Sequence, residues 1–323
     1  MTPGTRLAPG RTLTDRDIEE IHYYLAQTPR QLPSRLLYDA LGSTLFEAIC
    51  LLPWYRITRA EKALLARHGA AIARRTPPTE LVELGCGNGQ KLVTLLRALG
   101  WPPADVHLID VSREALDRTT QMVAAEGPSR VHAVHASYEE GLMHLPSTPD
   151  GGCRLVLFLG SNIGNFDPPA GAAFLHLVRR ALGPSDALLL GVDLVKPHDD
   201  LMLAYDDPLG VTAAFNKNLL QRLNSEIGAT FDLDEFEHLV HWNAGASRIE
   251  MHLVSRRRQD VRVPGVTGPL AFTLEPGESI WTESSYKYEP DAVRTLVESA
   301  GFDLRAHWID DEARFLLALC EGR

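Results

Sequence analysis

The chain has 323 residues, of which 45% are hydrophobic and 23% are charged, and its formal net charge is −10 at pH 7. This length exceeds one typical domain and fits either one elaborated domain or two. The negative charge argues against nonspecific nucleic-acid binding, which depends on lysine and arginine side chains that neutralise phosphates. The compact basic run at 256–258 is therefore expected to be a solvated strand end or turn.

The sequence carries no sign of export or membrane insertion. The N-terminus lacks the apolar core of a signal peptide, and no segment approaches the roughly 20 apolar residues that span a bilayer. The four cysteines are scattered without the C-x-x-C spacing of zinc sites or the pattern of a disulfide framework. We therefore expect a cytoplasmic protein in a reducing compartment.

The N-terminal part of the chain is predicted to be helical, apart from residues 1–12, which are expected to form a loose arm. Helical spacing of apolar residues begins after Thr14, a candidate N-cap, and covers 15–27, 38–52 and 58–75. The Thr-Pro-Pro-Thr segment 76–79 ends the third helix.

Strands and helices then alternate along the chain. The pattern predicts strands at 80–84, 105–109, 130–134, 154–159 and 186–194, and helices near 90–99, 112–125 and 168–182. Such alternation is typical of a parallel sheet covered by helices on both faces. We predict an α/β fold with a doubly wound, Rossmann-like sheet.

The alternation breaks after residue 196. Helices are predicted at 199–223 and 232–240, strands at 247–256, 259–264 and 269–274, and a closing helix and antiparallel strand pair at 290–300, 302–309 and 313–320. We predict a cofactor-binding domain formed by 56–196 and 286–323. Residues 13–55 and 197–285 are expected to form an inserted α+β substrate-binding domain or lid.

A glycine-rich turn follows the first strand. Gly85, Gly87 and Gly89 lack the Cβ atoms that would keep a ligand from the backbone, and the next helix begins with unpaired N–H groups. The spacing E-x-G-x-G-x-G differs from the dinucleotide pattern G-x-G-x-x-G. Asp110 ends the next strand, 25 positions after Gly85, where a carboxylate can hold ribose hydroxyls. Although a structural turn and an N-cap could explain each feature alone, together they predict a nucleoside cofactor site.

The glycine spacing resembles motif I of class I S-adenosylmethionine-dependent methyltransferases. Over nearly its whole length the chain resembles the histidine Nα-methyltransferase family of ergothioneine biosynthesis, through the segments 37–43 with Phe46, 158–165, 204–216 and 282–285. The resemblance implies S-adenosylmethionine as methyl donor and S-adenosylhomocysteine as product. It also implies transfer to the α-amine of L-histidine, which gives Nα,Nα,Nα-trimethylhistidine (hercynine).

The resemblance also implies which residues bind the methyl donor: Gly85, Gly87, Lys91, Asp110, Ser137, Tyr138 and Ser161. Ser137 is a departure, because the family has an aspartate before the aromatic residue at the adenine amino group. A serine can accept a hydrogen bond there without supplying a charge. We therefore expect a lower affinity for the cofactor.

The same resemblance implies which residues bind the carboxylate and the side chain of the amino-acid substrate. Asn165 and Tyr205 would donate hydrogen bonds to the carboxylate, with Gly160 in the same loop as Asn165. The structural alternatives are a turn-forming asparagine and a core tyrosine.

Glu283 and Ser285 lie two apart in a strand-like segment, so both side chains can point to one face. A carboxylate and a hydroxyl can satisfy both imidazole nitrogens, and in the family these positions hold the substrate side chain with Met251 alongside. An exposed polar edge is the alternative interpretation.

Tyr38 and Tyr55 match aromatic positions of the family at the amine end, and together with Phe46 their ring faces would favour a growing quaternary ammonium. Tyr38 and Asn165 are the candidate catalytic residues, and no general base is identified. Helix packing alone would also explain Tyr38 and Phe46. The implied reaction is an in-line attack of the amine on the sulfonium methyl group, which requires alignment and an unprotonated amine but no covalent intermediate.

Three other functions are weighed. Two histidine pairs, His132 with His135 and His238 with His241, could share a helix face, but neither has a recognisable third ligand, so no metal site is predicted. An N-methyltransferase for another aromatic amino acid and a non-catalytic nucleoside-binding module remain as alternatives.

We expect a small-molecule amino-acid substrate, no nucleic-acid or membrane partner, and a monomer.

Overall fold

The structure is a computed structural model that describes residues 13–148 and 151–323. The arm predicted for residues 1–12 lies outside the described residues. The helices are α1 (Asp15–Leu25), α2 (Ala40–Leu51), α3 (Ile57–Arg75), α4 (Gln90–Leu99), α5 (Arg113–Ala124), α6 (Tyr138–Met143), α7 (Pro168–Ala181), α8 (His198–Tyr205), α9 (Val211–Ile227) and α10 (Pro290–Ser299).

The strands are β1 (Arg30–Gln31), β2 (Glu80–Leu84), β3 (Asp105–Asp110), β4 (Arg130–His135), β5 (Arg154–Phe158), β6 (Ala187–Asp193), β7 (Phe236–Asn243), β8 (Arg248–Ser255), β9 (Gln259–Val263), β10 (Leu270–Leu274), β11 (Ser279–Tyr286), β12 (Phe302–Asp310) and β13 (Phe315–Gly322). Short 3-10 helices occupy Ser34–Leu37, Asn162–Asn165 and Leu233–Glu235. The chain divides into two compact units. Unit 1 is Met1–Leu51, Met202–His241 and Glu250–Glu283, and unit 2 is Leu52–Leu201, Trp242–Ile249 and Ser284–Arg323.

A seven-stranded sheet with the order β12-β13-β6-β5-β2-β3-β4 forms the centre of unit 2. Strands β2 to β6 run parallel, whereas β13 is antiparallel to both of its neighbours. Every residue of β2, β5 and β6 is buried, as expected for a sheet with both faces covered. The prediction of a doubly wound, Rossmann-like α/β fold with a closing antiparallel pair is confirmed.

The strand order reverses at β2, which has β3 on one side and β5 on the other. The connections after two adjacent strands, β2 and β5, then leave in opposite directions and open a crevice at their carboxyl ends. Open α/β sheets bind ligands at this position. The fold thus places the glycine turn after β2 and the loop after β5 at the expected binding edge.

Ion pairs hold the opposite edge of the same sheet, where the strands begin. The guanidinium of Arg154, which is 1% exposed, donates to both carboxylate oxygens of Glu80 at 3.0 Å. Arg130 donates to Asp105 at 2.6 Å and 2.7 Å, and its hydrogen bonds, together with His132, hold the pKa of the Asp105 carboxyl well below its usual range. The charged starts of these strands are structural.

Unit 1 contains a four-stranded sheet with the order β1-β11-β8-β7 and an antiparallel β9–β10 hairpin. Helix α2 packs against α9. Helix α1 begins as predicted after Thr14, whose hydroxyl accepts the Asp17 N–H while the Asp17 carboxylate accepts the Thr14 N–H.

Two predicted helices are wrong in this region. The helix predicted at 199–223 is interrupted between α8 and α9, where Pro208 and the left-handed Gly210, with φ of 73°, end and restart the helical path. The helix predicted at 232–240 is instead a 3-10 turn followed by β7. Phe236 and Val240 are buried on the same face of that strand, so pairing within the sheet overrides the helical spacing of its apolar residues.

Both histidine pairs lie on strands, β4 and β7, where residues three apart point to opposite faces. His132 contacts Asp105 at 2.9 Å and stacks on His107. Among the residues that the structure describes, no group of three or more His, Cys, Asp or Glu side chains is arranged to hold a metal ion. A search of the same residues for a helix long and apolar enough to cross a membrane finds none.

The loop between α8 and α9 is organised by the carboxylate of Asp207, which is 5% exposed. It accepts the backbone N–H groups of Leu209, Val211 and Thr212 at 3.0, 3.2 and 2.7 Å. Burial alone would raise the pKa of Asp207, but these hydrogen bonds outweigh it and the pKa is lowered.

Because the folded-state pKa of Asp207 is depressed, its stabilisation is complete above the unfolded pKa of about 3.9 and is lost as the pH falls through the folded value. We predict that Asp207→Asn lowers the free energy of unfolding by about 2 kcal/mol at neutral pH, and that this loss shrinks below about pH 4. Urea unfolding at several pH values measures it. The exposed neighbour Asp206 gives a control of equal charge change, Asp206→Asn. Equal losses in the two variants would contradict the assignment.

Candidate active site

The turn after β2 requires glycine at three positions for two different reasons. Gly85, Gly87 and Gly89 have φ of 81°, 50° and 72°, all in the left-handed region. A Cβ on Gly85 or Gly89 would also meet a neighbouring side-chain oxygen at 2.9 Å. A Cβ on Gly87 would meet no protein atom within 4 Å. The backbone at Gly87 therefore faces open space that a ligand can use.

Asp110, at the end of β3, lies against this turn. One carboxylate oxygen accepts the Gly87 N–H at 3.2 Å, and the other accepts the Ser112 N–H at 2.9 Å. The Cys86 thiol lies 3.6 Å from the first oxygen, and its pKa is raised well above the usual range, chiefly by burial. A carboxylate offers about four acceptor positions, so these contacts orient Asp110 and still leave capacity for ligand hydroxyls.

A fully buried carboxylate, Glu61 of α3, connects this turn's helix to the loop after β5. Its oxygens both lie 2.9 Å from the Gly160 N–H, and one accepts from Lys91 Nζ at 2.8 Å. Lys91 lies in the first turn of α4. Sequence reasoning missed Glu61, although its position on the buried stripe with Ile57, Ala60 and Leu64 was a signal.

Glu83 is a second missed carboxyl group, in the strand that leads into the glycine turn. It is 2% exposed, and its Oε2 has no hydrogen-bond partner within the described chain. Burial raises the pKa of Glu83 to about 8 against the opposing effect of Lys91, with Asp110 and Glu61 adding to the rise. With this pKa the carboxyl group is mostly protonated at pH 7, and a cationic ligand would favour its ionised form.

The loop after β5 carries Gly160, Ser161 and Asn165. Ser161 has an unusual φ of 60° and is 5% exposed, and its hydroxyl accepts the backbone N–H of Asp193 at 2.9 Å. The half-buried Asn165 ends the short 3-10 helix that follows. A Cβ on Gly164 would meet the carbonyl oxygen of Tyr286 at 2.7 Å, so the loop lies directly on the end of β11.

Ser137 and Tyr138 begin α6 at the end of β4. The Ser137 hydroxyl accepts the Glu140 N–H at 3.3 Å, and the Glu140 carboxylate accepts the Ser137 N–H, which is a capping box. The ring of Tyr138 packs on Phe158 and Phe174, and burial raises the pKa of its hydroxyl. Ser137 thus has a structural role that accounts for its position whether or not it contacts the cofactor.

Unit 1 brings Tyr38 and Phe46 together in an aromatic cluster. Their ring centroids are 5.5 Å apart at 74°, and Phe215 of α9 lies 5.5 Å from Tyr38 and 6.0 Å from Phe46. Phe215 is 2% exposed. Phe215 lies within the distinctive segment 204–216, but no separate role was predicted for it.

Met251 and Glu283 lie on neighbouring strands, β8 and β11. The Thr282 hydroxyl donates to the Met251 carbonyl at 3.0 Å, and the Trp281 indole N–H donates to the Glu283 carbonyl at 2.8 Å. Met251 is 1% exposed and Glu283 is 9% exposed. The exposed polar edge considered for Glu283 is therefore excluded.

Tyr205, at the end of α8, is held through its backbone by a neutral histidine. His238 Nε2 lies 2.9 Å from the Tyr205 carbonyl oxygen, which can only accept, so Nε2 carries the proton. Asn216 donates to His238 Nδ1 at 2.9 Å and to the His252 carbonyl at 3.1 Å. Burial lowers the pKa of His238 and keeps the ring neutral. Sequence reasoning missed both Asn216 and His238 in this role.

The remaining predicted residues belong to unit 2. Tyr55 is 7% exposed in the connection between α2 and α3. Ser285 is 6% exposed on β11 and accepts a hydrogen bond from Lys287 Nζ at 2.7 Å.

The predicted residues thus fall into two sets. The cofactor residues, with Tyr55, Gly160, Asn165 and Ser285, belong to unit 2, whereas Tyr38, Phe46, Tyr205, Met251 and Glu283 belong to unit 1. The two candidate catalytic residues, Tyr38 and Asn165, are therefore in different units.

The chain is similar to known proteins over most of its length. The model of a family described as "Histidine-specific methyltransferase, SAM-dependent" matches residues 17–322. The histidine N-alpha-methyltransferase of Mycobacterium tuberculosis is 40% identical over 303 residues, 93% of each chain. That of Mycolicibacterium smegmatis is 41% identical over 91% of each chain. Ergothioneine biosynthesis protein 1 of Neurospora crassa is 31% identical over 87% of this chain and 32% of its own.

We predict that Gly87→Val weakens binding of S-adenosylmethionine by more than about tenfold, because a branched side chain fills the open space beside the turn. Isothermal titration calorimetry measures the dissociation constant. Gly100→Val is a matched control, since Gly100 also has a positive φ and no atom within 4 Å of a Cβ but ends α4 at its opposite terminus. Unchanged affinity in a folded Gly87→Val variant, or an equal loss in Gly100→Val, would refute the site.

Proposed function

Since the chain belongs to the family of S-adenosylmethionine-dependent histidine-specific methyltransferases, we propose that it transfers methyl groups from S-adenosylmethionine to the α-amine of L-histidine. The proposed end product is Nα,Nα,Nα-trimethylhistidine, for ergothioneine biosynthesis. The structural observation that carries the proposal is the open backbone at Gly87, backed by Asp110, at the switch point of the sheet.

The residues at this edge of the sheet fit the methyl donor. We propose that Gly85 and Gly87 pass close to it, that Asp110 accepts hydrogen bonds from its ribose, and that Lys91, Ser137, Tyr138 and Ser161 complete its surroundings. Glu83 supports the fit, because a buried carboxyl group with a partnerless oxygen suits the positive charge of the donor. S-adenosylmethionine supplies an already activated methyl group on a sulfonium sulfur.

In each transfer, the lone pair of the substrate nitrogen forms the new N–C bond while the S–C bond breaks and its electrons remain on sulfur. The products are the methylated amine and S-adenosylhomocysteine, and a proton leaves the nitrogen before the next transfer. The chain's own residues therefore have to align the amine and keep it unprotonated. We propose that Tyr38, Tyr55 and Phe46 surround the amine, that Tyr38 and Asn165 orient it, and that no covalent intermediate with the chain forms.

We further propose that Asn165 and Tyr205 donate hydrogen bonds to the substrate carboxylate, with Gly160 nearby. Glu283 and Ser285 are assigned to the imidazole, with Met251 packing beside it. The low exposure of Glu283, Ser285 and Met251 supports this assignment, because a buried carboxylate and hydroxyl favour a polar ring over an apolar one.

Mass spectrometry tests the proposed function directly. The protein is incubated with S-adenosylmethionine and an equimolar mixture of the common amino acids. We expect a mass increase of three methylene units confined to histidine, together with S-adenosylhomocysteine. Methylation of another aromatic amino acid would contradict the histidine assignment, and cofactor binding without any S-adenosylhomocysteine would leave a nucleoside-binding module.

We predict that Glu283→Ala raises KM for histidine by about tenfold or more, because a charged acceptor of the imidazole N–H is lost. The preference for histidine over phenylalanine and tryptophan should fall as well, and Ser285→Ala should act in the same direction more weakly. Steady-state kinetics with the three amino acids measures both effects.

The matched control is Glu237→Ala, which removes an exposed carboxylate from β7 and should leave all three KM values unchanged. If the Glu283→Ala variant keeps wild-type discrimination, the imidazole is recognised elsewhere.

A further inference from the structure

The strand that leads into the glycine turn buries a carboxyl group, that of Glu83, next to the turn. Val82 and Leu84 belong to the hydrophobic cluster on one face of the sheet, and since side chains alternate along a strand, Glu83 points to the other face. The residue is 2% exposed, and among the residues that the structure describes its Oε2 has no hydrogen-bond partner. A buried acceptor in this state needs an explanation, because leaving it unpaired costs free energy.

The charged side chains that act on Glu83 come from three different elements. They are Lys91 of α4, Asp110 of β3 and Glu61 of α3, and the Lys91 ammonium is paired with Glu61 at 2.8 Å. If all three carboxyl groups were ionised, this part of unit 2 would hold three negative charges against one positive charge. The Cys86 thiol adds no charge, because burial raises its pKa well above the usual range.

These surroundings favour the neutral form of Glu83. Burial raises its pKa to about 8 against the opposing effect of Lys91, and Asp110 and Glu61 add to the rise. About nine-tenths of the molecules therefore carry this proton at pH 7. A positive charge that arrives nearby lowers the pKa and releases the proton. Glu83 can thus respond to the charge of a ligand in the neutral pH range.

We propose that Glu83 is a specificity-determining residue that distinguishes the charged methyl donor from the neutral product, by releasing a proton to solvent when S-adenosylmethionine binds and taking one up after the methyl group has left. This inference rests on the proposed function, which places the donor at the glycine turn. The two ligands share an adenosine, an ammonium and a carboxylate, and their charges differ only at sulfur. The sulfonium of the donor stabilises a nearby carboxylate, whereas the thioether of the product does not.

The proton exchange gives donor binding a pH dependence of definite sign. Glu83 has the lower pKa in the donor complex, so protons are released between that value and the value of about 8 in the empty site. Raising the pH through this interval therefore strengthens donor binding, and product binding changes much less. The difference matters for repeated methylation, because each transfer leaves one S-adenosylhomocysteine that has to dissociate before the next donor binds.

Isothermal titration calorimetry of the full chain, at pH 7 in buffers of different ionisation enthalpy, counts the protons exchanged with each ligand. We expect about 0.4–0.8 proton to be released with S-adenosylmethionine and less than about 0.2 with S-adenosylhomocysteine. The ratio of the product Kd to the donor Kd should rise about threefold to tenfold from pH 6 to pH 7.5. Titration of the α-amine, which both ligands carry, largely cancels in this ratio.

Glu83→Gln keeps the size of the neutral carboxyl group but cannot lose a proton. We expect it to release no more protons with the donor than with the product, and to make the Kd ratio independent of pH. Its donor Kd at pH 7.5 should rise about threefold to tenfold, while its product Kd stays within about twofold of the wild-type value. The matched control is Glu312→Gln, the same exchange at a side chain that is 87% exposed, which should behave as the wild type.

Infrared difference spectroscopy of the wild-type protein tests the same step without a variant, and so decides the matter even if Glu83→Gln does not fold. Donor binding should remove the carbonyl stretching band of a protonated carboxyl group, and product binding should leave it. Equal proton release with the two ligands, an unchanged carboxyl band, or a wild-type pH dependence in folded Glu83→Gln would overturn the inference. Wild-type protein that binds neither ligand would instead refute the proposed donor site.

Discussion

The carboxyl edge of the unit 2 sheet depends on one buried carboxylate, Glu61. It accepts the Gly160 N–H and pairs with Lys91, so α3, the first turn of α4 and the loop after β5 share a single anchor. Glu61 also leaves no room for a Cβ at Gly191, which explains a glycine in the middle of the buried strand β6. A buried charge is costly unless its partners are well placed, so this arrangement tolerates little displacement of any of the three elements. The open turn at Gly87 is positioned by that rigidity.

The two units position their polar groups by different means. Unit 2 contains the buried ion pairs Glu61 with Lys91 and Asp193 with Lys287. Because the attraction between charges acts over a long range, such pairs can hold the loops that surround a charged ligand. In unit 1, Tyr205 is held by a neutral relay from Asn216 through His238, in which every step is a directional hydrogen bond. The lowered pKa of His238 is consistent with this chain of hydrogen bonds, because a protonated ring could not accept from Asn216. Breaking either kind of contact leaves a buried group without its partner, which costs more than the contact itself contributes.

The sequence predicted local features well and long-range ones poorly. The strand at 80–84, the helix at 90–99 and the capped start of α1 agree with the structure because apolar spacing, glycine and capping residues act within a few positions. The segment 232–240 was assigned wrongly because its apolar spacing suits a helix, and only pairing in the sheet makes it a strand. The partnership of Glu61 with Gly160, or of Asp193 with Lys287, spans about a hundred positions and has no local signal. The one indication that the sequence offered for such pairs is a charged residue among apolar residues that are otherwise buried, such as Glu61 in α3.

The aromatic cluster of Tyr38, Phe46 and Phe215 suits repeated methylation for a reason that concerns protons. The substrate nitrogen has to lose a proton before each transfer and becomes a permanent cation at the end. A carboxylate beside it would raise the pKa of the amine and hold the proton, and each unit of that rise removes about nine-tenths of the reactive form. Ring faces attract a quaternary ammonium by about 0.5–2 kcal/mol without accepting a proton. With aromatic rings at the amine and the carboxylate assigned to the imidazole, as proposed above, the group that would hold a proton is kept away from the reacting nitrogen.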